Sequence, residues 1–447
     1  MPAFAALPPM LQLLIVGLVG GFLGALTNWA TYRFAWFNPR EISPWGPSPV
    51  EAKARRLTDR LPIVGWLGLR REHLIHGRGF WIRPMLVELA MAVGLAMLYR
   101  WEVHCERLVV PQIEDWLRLP LPAAAGWVPI TWLQSTFLNH AILIALMAAA
   151  SFIDIDEKII PDEITVPGTL VGLLLAALLP TGLLPCVVER LAPEPISTHV
   201  DLPPAAAGLL EAGNLMYVEP VTLASPIAWP AQASNWQSLL LGQACWWLWC
   251  FAITPRIYRG RRGMRRGLAI LMRRVLRSLM QLPLSAISII GSLSIAAVWW
   301  LGGAAWVGLL TALVGLAVSG GLVWAVRLGG TAALNREAMG FGDVTLMMMV
   351  GTFVGWQAGI IIFFLAPFAG LVVGLMQLVL RRDDEIPYGP FLCLSTLFVV
   401  VRWADVWNRS QFAFSAGWLV PVVLIFCVVM LVVMLFLWQQ IKNALFQ

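Results

Sequence analysis

The chain has 447 residues, 59% of them hydrophobic and only 13% charged, with a formal net charge of +6. Soluble domains carry about 25% charged residues, so a soluble enzyme of ordinary composition is excluded as the body of this chain, and the basic balance alone does not point to nucleic acid. The six cysteines (105, 186, 245, 250, 393 and 427) are scattered and form no C-x-x-C pair, so neither a disulfide framework nor a cysteine zinc site is implied.

Apolar runs long enough to cross a bilayer as helices recur from end to end. Residues 1–10 carry no basic stretch and no small-residue cleavage site, so the first run reads as a retained helix and not as a signal peptide. Membrane-spanning helices are predicted near 11–31, 84–100, 136–153, 164–184, 237–254, 281–301, 304–326, 344–358, 359–380, 389–402 and 416–439. The fold class is therefore all-α, a polytopic helical membrane protein with about 11 transmembrane helices. Cys245 and Cys250 fall in an apolar Trp-rich span and read as packing residues. Gly302-Gly303 separates two neighbouring spans, and the 23 tryptophans suit membrane interfaces.

Lys and Arg placement orients the chain. Residues 32–83 hold ten and residues 255–280 hold nine, whereas the loops 101–135 and 185–236 hold three between them. Basic loops stay in the cytoplasm, which puts the N-terminus outside and the C-terminus inside. The second basic run reads first as a stop-transfer signal and secondarily as a contact for anionic lipid. The loop 185–236 is rich in Pro and Ala and shows no chemistry of its own.

Carboxylates in or beside spans are costly and usually functional. FIDIDEKIIPDEIT, 152–165, ends one span and begins another, and presents Asp154, Asp156, Glu157, Asp162 and Glu163 in a cytoplasmic turn. MGFGDVTLMMMVGTFVGWQ, 339–357, places Gly340 and Gly342 around Phe341, with Asp343 directly before a span. The glycines permit close backbone approach. Taken alone, Asp343 reads as a helix cap. The predicted topology brings both acid sites to the cytoplasmic membrane boundary, where two carboxylates sharing a proton could activate a water and protonate a carbonyl. The helix-end fields make Asp343 the ionised member and Asp154 the proton carrier.

These two motifs resemble those of the prepilin leader peptidases, membrane aspartyl proteases with a G-x-G-D signature. IPYGPF, 386–391, is similar to that family's proline-glycine segment, and RLPIVGWL with WIRPMLVELAMAV is similar to its N-terminal region. The resemblance covers roughly 10–100, 136–185 and 325–402. It implies an eight-helix peptidase-like core with inserted and appended spans, and one catalytic aspartate in each motif, Asp154 and Asp343. Gly340 and Gly342 shape the second site, and Asp156 and Asp162 compete with Asp154 at the first. It also implies a bacterial inner-membrane location, a site facing the cytoplasm, and substrates that are prepilins or pseudopilins of type IV pilus or type II secretion systems. The substrate leader is basic and is followed by a glycine and a hydrophobic helix.

The organisation then reads as a first helix (1–31), a basic cytoplasmic loop (32–83), helices with the first aspartate motif (84–185), an insertion with an external loop, two spans and a basic linker (186–303), helices with the G-x-G-D (304–402) and an appended span (403–447). Many family members carry two C-x-x-C pairs in the first loop, thought to hold zinc, but residues 32–83 contain no cysteine. His73 and His76 form an H-x-x-H that reads as solvated loop, so no metal is expected. Methyl transfer from S-adenosylmethionine, a second activity of members with that loop, is in doubt, and the peptidase itself needs no cofactor. Glu157, Asp162, Glu163, Glu337, Asp383, Asp384 and Glu385 could steer a basic leader, or could be a solvated turn paired with Arg381 and Arg382. The partners expected are the substrate and the lipid bilayer, with no nucleic acid. The competing readings are a proton- or ion-coupled transporter using paired carboxylates, and a non-enzymatic scaffold in which the aspartates are caps.

Overall fold

The computed structural model describes residues 2–35, 42, 44–46, 48, 54–108, 130–184, 186–187, 221–222, 235–254, 284–334, 337–380 and 387–445. The loop 185–236, the basic linker 255–280 and the acidic run 383–385 lie almost wholly outside these residues. The long helices are α1 (Pro9–Phe34), α2 (Ile82–Tyr99), α3 (Ile130–Glu157), α4 (Asp162–Leu178), α5 (Trp236–Ala252), α6 (Leu284–Leu301), α7 (Gly303–Leu334), α8 (Phe341–Leu380), α9 (Gly389–Val401), α10 (Trp403–Ser415) and α11 (Leu419–Leu445). The only strands among the described residues are the two-residue pieces Cys186–Val187 and Val221–Thr222.

The protein is thus a polytopic helical membrane protein. Among the described residues seven helices are long and apolar enough to cross a membrane, or eight if α9 and α10, bent by 96° at their junction, form one broken span. The expected eleven are not all reached by this measure, for local reasons. The helices at 164–184 and 237–254 are each 17 residues long. The pair expected at 344–358 and 359–380 is one helix, α8, interrupted at Gly355 (φ 81°, ψ 176°), a backbone conformation suited to glycine. The break expected at Gly302-Gly303 is present, both residues having positive φ.

The chain divides into two compact units: Met1–Ile164, Cys186–Val221 and Ala369–Arg409 form the first, and Thr165–Pro185, Thr222–Phe368 and Ser410–Gln447 the second. In the first unit α1 lies against α2 through glycine. A Cβ at Gly20 would sit 2.7 Å from the Met91 carbonyl oxygen, and one at Gly24 2.7 Å from the Glu88 Cα. Small residues let helices approach closely where lipid supplies no hydrophobic drive between them. Buried polar side chains then fix the register. Asn28 donates to the Pro84 carbonyl (2.9 Å) and to Glu88 (3.1 Å). Toward the other end of these helices Tyr99 donates to Gln12 (2.8 Å), and His140 pairs with Glu102 (2.8 Å).

The loop between α1 and α2 is locked onto α2 by the buried Glu88, which accepts from the Trp66 indole (2.7 Å) and from the Ile63 N–H. In the second unit the first half of α8 is the most enclosed element, with Val344 and 346–350 all fully buried. Gly315 of α7 and Gly351 of α8 approach each other so closely that neither position accommodates a Cβ, and Gly172 of α4 packs in the same way on Thr352.

Candidate active site

The first aspartate motif is shaped by the end of α3. Lys158 adopts φ 57° and its N–H bonds back to the Asp154 carbonyl (2.8 Å), a left-handed stop that ends the helix. Pro161 follows, and α4 restarts at Asp162. This geometry separates the acids. Asp154 is 4% exposed, on the face that carries the buried Ile153, whereas Asp156 and Asp162 point to the surface. Asp156 is engaged by Arg83, whose Nη1 donates to both carboxylate oxygens (2.8 and 2.9 Å). The same guanidinium lies 5.2 Å over the Phe152 ring.

The Asp154 carboxylate rests on α9. Its Oδ2 occupies the place that a Cβ at Gly389 would need, and the same Cβ would lie 2.9 Å from Ile160 Cδ1. Oδ2 has no hydrogen-bond partner among the described residues. A buried acceptor without a partner is costly. Gly389 opens α9, with Pro390 in the first turn where a missing N–H costs nothing. Cys393, one turn on, lies 3.8 Å from the Met147 carbonyl of α3, so α3 and α9 stay in contact. Gly389 lies within the proline-glycine segment noted in the sequence, but its pairing with Asp154 was not read there.

In the second unit Asp343 sits in the first turn of α8 and is 6% exposed. Its Oδ2 turns back over Gly340, 3.5 Å from where a Cβ would stand. That is the direction a third helical residue takes when it reaches toward the helix start. Gly340 is exposed and Gly342 half-buried, and Thr345 donates to the Gly342 carbonyl (3.1 Å). Asp154, Asp156 and Asp162 thus belong to the first unit, and Gly340, Gly342 and Asp343 to the second.

No group of three or more His, Cys, Asp or Glu side chains among the described residues could hold a metal ion. His76 lies 3.4 Å from Glu72, and His73 meets the Arg70 carbonyl (3.2 Å). Two buried acids within the helical region went unremarked in the sequence, Glu88 and Glu102, because a single acid barely changes the hydropathy of a long run. So did Arg327, whose contacts form around the G-x-G-D.

Residues 272–375, the stretch containing Gly340, Gly342 and Asp343, match the model of the Type IV leader peptidase family. Proteins called prepilin leader peptidase/N-methyltransferase are similar in part. That of Aeromonas salmonicida is 32% identical over 101 residues, 22% of this chain and 33% of the relative. That of Pseudomonas aeruginosa is 31% identical over 84 residues, 18% and 29% of the two chains. That of Legionella pneumophila is 37% identical over 73 residues, 16% and 25%. The match with the Aeromonas salmonicida protein thus spans a third of that relative's length. No solved structure matches. The resemblance to prepilin leader peptidases stands for the part of the chain that carries the G-x-G-D.

Proposed function

We propose that this chain is a membrane-embedded aspartyl endopeptidase that cleaves the basic leader from type IV prepilin-like or pseudopilin substrates at the cytoplasmic membrane boundary. The observation that carries the reading is the buried carboxylate of Asp343 in the first turn of α8, inside the segment that matches the leader peptidase family. The second carboxylate is Asp154, favoured over Asp156 and Asp162 by its burial and by its place against Gly389 of the proline-glycine segment.

In this mechanism the two carboxylates hold one water between them and share a proton. One acts as general base, taking a proton as the water oxygen attacks the scissile carbonyl after the leader. The other protonates the carbonyl oxygen and so stabilises the tetrahedral intermediate. Collapse of that intermediate breaks the C–N bond, and the amine leaves with a proton from the dyad. Gly340 and Gly342 leave the main chain beside Asp343 open to an approaching substrate backbone. The proposal does not extend to methyl transfer, because the first cytoplasmic loop has no cysteine. The insertion expected at 186–303 overlaps the matched segment from residue 272 onward, so 186–271 and the span after 403 are proposed as additions to the peptidase core.

The test is cleavage of a prepilin-like peptide by the full chain in detergent. Asp154→Ala and Asp343→Ala should each abolish product formation while the protein stays folded. Normal cleavage by both variants would refute the mechanism and leave the aspartates as helix caps.

A further inference from the structure

The turn that carries Asp343 is held by side chains of the preceding helix, with Arg327 making the most contacts among those described. Arg327 lies on α7, and its Nε donates to the Met339 carbonyl (2.9 Å), the residue before Gly340. Its Nη2 reaches Glu337 Oε1 (3.2 Å). Its guanidinium lies 5.4 Å over the ring of Phe341, the residue between the two glycines. Phe341 in turn meets Trp324 edge-on at 5.8 Å, and Trp324 stacks on Phe251 at 5.9 Å. The next turn of the same α7 face completes the clasp. Thr331 accepts from the Ala338 N–H (3.4 Å), and a Cβ at Gly330 would come within 2.8 Å of the Ala338 Cβ. Residues 337–341 are therefore fitted onto α7 at 327, 330 and 331, three and four residues apart, which is one helix face.

We propose that Arg327 is a positioning residue for the G-x-G-D, fixing Met339 and Phe341 so that the first turn of α8 presents Asp343 in one orientation. The inference rests on the reading of Asp343 as a catalytic carboxylate. Asp343 follows Phe341 within a single helical turn, so any displacement of Phe341 is passed to the carboxylate through rigid backbone. The ion pair with Glu337 is the lesser part of the device, since Glu337 is 79% exposed and such pairs contribute little. The geometry calls for arginine. A planar fork can donate edge-on to a carbonyl while its face covers an aromatic ring, and a lysine ammonium can do only one of these.

The experiment compares wild type, Arg327→Gln, Arg327→Lys and Asp343→Asn as full chains in detergent, with kcat and KM measured on a prepilin-like peptide per folded protein and kcat followed against pH. Misplacing a reacting group by about 1 Å costs on the order of 100-fold. Arg327→Gln should therefore lose about 100-fold in kcat with KM within about 2-fold, and its pH profile should move. Arg327→Lys should fall between it and wild type. A purely structural arginine would lower the melting temperature and leave kcat and the pH profile of the folded fraction unchanged, and that result overturns the proposal. If Arg327→Gln does not fold, Arg327→Lys decides, and wild-type kcat in that variant overturns the proposal as well. Asp343→Asn that still cleaves refutes the peptidase reading itself, independently of Arg327.

Discussion

Gly389 offers the sharpest check on Asp154. Alanine normally stabilises a helix relative to glycine by about 1 kcal/mol, so on backbone grounds Gly389→Ala should be harmless. Here the added Cβ falls on the Asp154 Oδ2 and lies 2.9 Å from Ile160 Cδ1. To restore ordinary contact the carboxylate must retreat by about 1 Å, a displacement on the scale that costs about 100-fold in rate when it moves a reacting group. Overpacking of this kind costs about 1–3 kcal/mol, which the helix-propensity gain partly offsets, so the loss of activity should far exceed the loss of stability. The assay is peptide cleavage alongside thermal melting in detergent. Gly374→Ala is the control, because a Cβ there meets nothing within 4 Å, and it should keep wild-type activity. Cleavage by Gly389→Ala within about 2-fold of wild type would mean that Asp154 does not act from the position beside α9, and the argument for that residue would fail.

Other outcomes follow from the same geometry. Asp156→Asn removes a half-exposed pair with Arg83, so it should cost no more than about 1 kcal/mol in denaturant unfolding and leave product detectable, while Asp154→Asn leaves none. A dyad sharing one proton should give a bell-shaped dependence of wild-type kcat on pH, and a profile with a single limb would contradict a shared proton. Gly389 lies against Asp154, so cysteines placed at Lys158 and Tyr388 should react with an impermeant thiol reagent from the same membrane face. Labelling from opposite faces would contradict the packing of α9 on the end of α3.

The two halves of the candidate site were unequally legible. The G-x-G-D is local: glycine, acid and apolar run follow one another, so Asp343 stood out as a candidate, although alone it reads as a helix cap and only the topology and the resemblance raised it above that. The first motif offered Asp154, Asp156 and Asp162 within nine residues, and spacing alone ranks them weakly. What separates them is the left-handed stop at Lys158 and the packing of α9, which comes from far along the chain. Burial by a distant helix leaves no local signature, and for the same reason Gly389 was seen only as part of a proline-glycine segment. The helices were found where apolar runs predicted them, but their number was harder. Hydropathy carries 164–184 through Pro180, whereas α4 ends at Leu178, and no polar residue marks where α8 breaks at Gly355. Glu88 and Glu102 are diluted by their apolar neighbours, although burial makes each of them a fixed point of the first unit.

The cysteine-free loop between α1 and α2 shows how such a segment can be held without thiolate ligands. Three carboxylates, Asp59, Glu72 and Glu88, are at most 2% exposed. Each is matched to donors from another part of the loop or its neighbouring helix. Arg71 pairs with Asp59, Trp66 and the Ile63 N–H with Glu88, and Arg55 grips Glu72 through Nε (3.0 Å) and Nη2 (2.9 Å). The Arg55 and Glu72 side chains are 5% and 1% exposed. Removing one member of a buried pair strands the other charge at a cost of about 3–5 kcal/mol, so Arg55→Ala should lower stability by that order. Replacing both partners together should be far milder, because no charge is then left buried. Chelators should change neither the melting temperature nor cleavage. A melting transition that falls on treatment with EDTA, or an Arg55→Ala variant as stable as wild type, would show that something other than these ion pairs closes the loop.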